Sequence, residues 1–153
     1  MTAVSRRKPP DLERFLTAQR GTYEQVVDEL RQGRKTGHWI WYIFPQIAGL
    51  GRSDVSRFFA IGSLDEARDF LGDETLGTRL RECASLLLAV RDRSAREILG
   101  DLDAMKVRSS MTLFHRAAPE DPLFRQVLDR CFDGVADAAT DALLDGAAAR
   151  PER

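Results

Sequence analysis

The feature that most constrains the fold is an apolar stripe, Leu76, Leu80, Cys83, Leu87 and Val90, spaced by three and four residues. Only a helix gathers that spacing onto one face, and a face so uniformly apolar has to be covered by other elements. The stripe therefore predicts a helix across the centre of a core. The same period recurs along the chain. Leu12, Phe15, Leu16 and Gln19 follow Asp11, an expected N-cap. Tyr23, Val26, Val27 and Leu30 share a face from near Thr22, with Glu24, Asp28 and Arg31 outward, and Gly33 marks the stop. Ser63 and Glu66 stand as a capping box ahead of Leu64, Ala67, Phe70 and Leu71. Ser94 opens a short helix ending at Gly100, residues 102–115 read as helical, and the period resumes after Pro122 with Phe124, Val127, Leu128, Cys131 and Val135. The expected fold is all-α, a compact multihelical single domain.

One segment resists that reading. Trp39, Ile40, Trp41, Tyr42, Ile43 and Phe44 are strand formers bounded by Gly37 and Pro45, and residues 58–61 offer a strand partner. The alternative is an α+β domain with one small hairpin. An isolated hairpin is marginal in water, and a continuous apolar run suits a short buried helix equally well, so the all-α reading is preferred. A chain of 153 residues fits one domain. Residues 11–145 are expected to form it, between a flexible N-terminus at 1–10 and a small, polar, flexible tail at 146–153.

Charge is balanced, with 23 Lys and Arg against 24 Asp and Glu, so no global field draws the chain to nucleic acid or anionic lipid. Arg6, Arg7 and Lys8 lack the apolar stretch of a signal peptide behind them, and no segment reaches membrane-span length. The expectation is a cytoplasmic chain without a membrane partner. Cys83 and Cys131 lie on apolar stripes, without a Cys-x-x-Cys, which argues against zinc or a redox pair; no metal or other cofactor is expected.

Chemistry concentrates in two places. Residues 33–46 hold one of the 2 histidines and both tryptophans, followed by Gly49, Gly51 and Ser53. His38 among aromatics is the acid or base candidate. Lys35 with Arg34 beside a Gly-rich turn is an anion candidate, Trp39 and Trp41 an aromatic wall, and Gln46 and Ser53 polar contacts. The glycine spacing does not fit a P-loop, because three residues separate Gly33 from Gly37 and His38 stands where lysine is required. In the second place, Asp103, Lys106 and Ser110 fall on one narrow helical face with Ser109 beside Lys106, in a segment apolar nearly all round and hence expected to be buried. Buried polar groups there need one another or a cavity to line.

Gln19, Gly33-x-Lys35, His38-Trp39-x-Trp41, Phe44-Pro45-Gln46, Gly49-Leu50-Gly51-x-Ser53, Asp103-x-x-Lys106-x-x-Ser109-Ser110-Met111-Thr112-Leu113-Phe114 and Asp137-x-x-Thr140 together carry a resemblance. Over residues 12–144 the chain resembles an uncharacterised bacterial family, a domain of unknown function, some members of which bear the genome label "calpastatin". The resemblance implies a compact, mainly helical domain without an established activity. The label does not suit the residues, since the inhibitor of that name is a disordered, repeat-built chain and this one has amphipathic helices without repeats.

Two functions compete. In the first, Lys35, His38, Trp39, Trp41, Gln46, Ser53, Asp103, Lys106, Ser109 and Ser110 converge on a pocket for a small anionic or nucleotide-like ligand, with His38 available for acid–base chemistry. In the second, the tryptophans are core or partner surface and the domain is a non-catalytic interaction or structural module. Nucleic acid ranks third, because the basic cluster at Arg31, Arg34 and Lys35 is small. The sequence carries no signal for oligomeric state. The first reading requires that His38 and Lys35 face Lys106 and Ser110 across one pocket.

Overall fold

The structure, a computed structural model, describes residues 11–149, so the expected flexible N-terminus at 1–10 and residues 150–153 of the expected tail at 146–153 lie outside the described residues. Ten helices follow one another there: α1 (Glu13–Gln19), α2 (Tyr23–Gln32), α3 (Ile40–Ile43), α4 (Asp54–Phe58), α5 (Leu64–Gly72), α6 (Glu74–Ala89), α7 (Ala95–Leu99), α8 (Asp101–Ala117), α9 (Pro122–Phe132) and α10 (Ala138–Ala149). The domain is all-α, and residues 146–149 continue the last helix. No helix among the described residues is long and apolar enough to cross a membrane.

The striped helix lies where its pattern requires. Leu76, Leu80, Cys83 and Leu87 of α6 are buried against α2, α5 and α9. Burial also pushes the Cys83 thiol up to about 12, so it is a protonated core group. A second axis is α8, packed on α5, α7, α9 and α10. Its burial is not all round, as the sequence suggests. Ala104, Val107 and residues 109–114 are buried, but Leu102 and Met105 are largely exposed, because no element among the described residues covers that side of the first turns.

Several helix ends follow their sequence signals. Gly33 ends α2 in the left-handed conformation, Ser94 and Glu97 form a complete capping box on α7, and Asp137 caps the start of α10 through the Thr140 amide and hydroxyl. Two differ. Leu12, not Asp11, is the N-cap of α1 and offers no side-chain bond, while the Asp11 carbonyl accepts from Arg14. Ser63 caps α5, but its intended partner Glu66 accepts instead from the Gly62 amide at 2.6 Å and from Arg14 at 3.4 Å.

The aromatic run forms the single-turn helix α3, not a strand. Of the alternative hairpin nothing forms among the described residues beyond one isolated parallel bridge between Ile47 and Ile61. It is closed by Ile61 N–H to Gln46 O and Ala48 N–H to Ile61 O, both 2.8 Å. Trp39, Ile40, Ile43 and Phe44 gain more by burial around one turn than a two-faced strand allows, since a strand turns alternate side chains to opposite sides.

Candidate functional site

The loop from α2 to α3 is organised by a residue the sequence reading passed over. Glu29 is 6% exposed. Its Oε1 accepts from the Thr36 amide (2.7 Å), the Gly37 amide (2.9 Å) and the Trp39 indole (2.9 Å), and its Oε2 accepts from Gln25 (2.7 Å). Burial alone would raise its pKa, but the Gly37 amide, Gln25, the Thr36 amide and the Trp39 indole together hold it down at about 2. The signal was its register: Glu29 lies three residues after Val26 and just before Leu30, on the buried side of α2.

Lys35 is pinned to the same loop. Its backbone amide donates to Ile98 O at 2.7 Å. Its ammonium, 7% exposed, donates to the Gly37 carbonyl, pairs with Asp103 Oδ2 at 2.7 Å and lies 5.0 Å from the Trp39 ring centroid. Asp103 in turn meets Lys106 Nζ at 3.4 Å through its other oxygen. The two sequence segments are thus joined through a Lys35–Asp103–Lys106 chain, with the carboxylate shared between two cations.

Lys106 extends that chain to Trp41, whose ring centroid is 4.8 Å from Nζ, within cation–π range. Trp41 is half-buried and also walls a cleft of about 210 Å³ that includes Gln46, Gly49, Gly51, Ser56, Arg57 and Phe59. Gly49, at φ +107°, makes the turn possible, and a β-carbon there would also come within 3.2 Å of Leu143 on α10. Ser53 caps α4 through the Ser56 amide at 3.1 Å, and the two hydroxyls are 2.5 Å apart. The next turn is held from beneath by Arg14, a second residue missed in the sequence, which donates to Phe58 O (2.7 Å) and Ala60 O (2.8 Å). Among the described residues Arg52 and Arg57 are exposed and form no ion pair or side-chain hydrogen bond, so Arg57 brings an uncommitted guanidinium to the cleft.

The remaining candidates fall outside that wall. Trp39 is 2% exposed, a core side chain with its N–H spent on Glu29. His38 is exposed and makes no hydrogen bond among the described residues. The Ser109 hydroxyl donates back to Met105 O at 3.1 Å, and Ser110 Oγ is fully buried with no hydrogen-bond partner among the described residues. The structure brings Lys35, Asp103, Lys106 and Trp41 together and sets Gln46 beside them. Ser110 is interior and His38 lies on the surface, so the two do not face one another across an open pocket.

Comparison with known proteins adds a family and a structure. The family described as "Protein of unknown function (DUF1810)" matches residues 9–144. The chain is similar to the conserved hypothetical protein Rv1873 from Mycobacterium tuberculosis, known from its crystal structure. The two are 46% identical, with a TM-score of 0.88, over 90% of this chain and 99% of that one. No curated protein matches.

Proposed function

This chain belongs to the DUF1810 family of proteins of unknown function, and we propose that it binds a small anionic or nucleotide-like ligand in the cleft beside Trp41. One observation carries the reading: Trp41, whose ring carries the Lys106 ammonium against it, walls the cleft together with Arg57, which has no ion pair or side-chain hydrogen bond among the described residues. A planar ring against Trp41 and an acidic group toward Arg57 would use both, with Gln46 and Ser56 supplying polar contacts and Ser53, outside the lining, holding Ser56. Asp103 and Lys35 set the position of Lys106 from behind.

The reading is one of binding. His38 lies outside the cleft wall, Ser109 is engaged with the backbone and Ser110 is closed off, so these candidates assemble no nucleophile with a base. The test is a thermal-shift panel of nucleoside mono- and diphosphates, sugar phosphates and inorganic phosphate. The expected result is a stabilising shift from at least one phosphate compound that Arg57→Ala and Lys106→Ala each reduce. Equal shifts in wild type and both variants, or none anywhere in the panel, would overturn it.

A further inference from the structure

Behind the cleft lies a second hollow of about 590 Å³, between the start of α5 and α10. The two spaces are adjoining. Ile47 and Ala48 line both, and Leu143, which lines the second, packs on Gly49, which lines the first. Their chemistry differs. The cleft presents Trp41, Gln46, Ser56 and Arg57, whereas the hollow presents Leu64, Ala142, Leu143 and Leu144, with Leu143 37% exposed. At the hollow's other edge Ser63 caps α5 and the Gly62 amide donates to Glu66, while Asp65 stays largely exposed, 3.4 Å from Arg68. An occupant of the hollow therefore finds apolar surface and few hydrogen-bond partners.

We propose that the ligand of the cleft is amphipathic, an aromatic or nucleotide-like anion bearing an aliphatic arm, and that the arm lies in the hollow between α5 and α10. The inference rests on the reading of the cleft given above and adds to it the class of compound. The arm crosses the rim at Ala48, which is exposed and belongs to both walls. Lying along Ala142 and Leu143, both exposed, it removes apolar surface from water on both partners. Leu143 stands where it touches the arm and supports the Gly49 turn at once, so occupancy of the hollow and of the cleft reinforce each other.

The test compares phenyl phosphate, a head without an arm, with 4-octylphenyl phosphate, held below its micellar concentration, by isothermal titration calorimetry. Arm-only 4-octylphenol measures non-specific apolar binding. Wild type is expected to bind the octyl compound at least tenfold more tightly than phenyl phosphate and both more tightly than the phenol. Ala142→Trp, an exposed position on α10 that fills the hollow, and independently Ala142→Gln, which places a polar group on its wall, are expected to abolish the octyl gain while phenyl phosphate binds as before. Equal affinities for the two phosphates, or a gain that survives both variants, overturn the arm and leave the head-group reading standing. No binding of either phosphate overturns both.

Discussion

Two glycine-containing loops flank the aromatic turn, and they treat polar groups in opposite ways. In the loop at 33–39 the buried donors are committed, with Arg34 and His38 left exposed: Glu29 accepts from Thr36, Gly37 and Trp39, and Lys35 is closed between Gly37 and Asp103. In the segment at 46–60 the backbone is fixed by Arg14 and the Ile61 bridge, yet among the described residues Arg52 and Arg57 form no ion pair or side-chain hydrogen bond, and Arg57 lines an open cleft. Both segments read as sites by residue type. What separates them is whether the polar groups are already satisfied within the protein, since a satisfied group in low dielectric supports structure and an unsatisfied one at a cleft remains available.

The contrast breaks first at Glu29. Glu29→Gln is expected to destabilise the domain by about 3 kcal/mol in urea unfolding, because one neutral amide oxygen replaces a carboxylate that serves four donors. The sign with pH is set. The folded value of about 2 lies below the ordinary 4.5, so the carboxylate's contribution is complete above about pH 4.5 and is lost as pH falls through about 2. The wild-type advantage over Glu29→Gln should shrink across that window. Equal stability of the two proteins at neutral pH would make the loop ordinary.

Asp103→Asn is expected to cost about 2 kcal/mol, a buried-pair penalty reduced for partial exposure, since the nearly buried Lys35 loses its counter-charge. Gly49→Ala should cost about 1–2 kcal/mol through its positive φ and the crowding of Leu143, and should weaken ligand response as the cleft wall shifts. Arg57→Ala is the smallest in stability, within about 0.5 kcal/mol, and is expected to remove the phosphate response. If Arg57→Ala destabilised as much as Asp103→Asn, the two regions would not differ in kind.

Much of the fold was legible because it rests on periodicity: the α6 stripe, the Gly33 stop and the Ser94 capping box need only local chemistry. That Asp103 and Lys106 need partners was legible from their apolar helix, but that Lys35 supplies one to Asp103 was not. What escaped was polar chemistry decided by tertiary contact. Glu29 and Arg14 look like surface charges in a helix, and only the loops that fold onto them reveal their backbone partners. Trp39 and Trp41, two residues apart and alike in sequence, part company for the same reason: one meets Glu29 in the core, the other meets Lys106 at the cleft.

Those two indoles give the most direct test. In a proton–nitrogen NMR titration with adenosine monophosphate, the account predicts movement of the Trp41 indole signal and of amides at 46–60, with the Trp39 indole and the Thr36 and Gly37 amides nearly still. Movement centred on Trp39, Thr36 and Gly37 with none at 46–60 would reverse the roles of the two loops, and no movement at either would contradict the cleft as a nucleotide site.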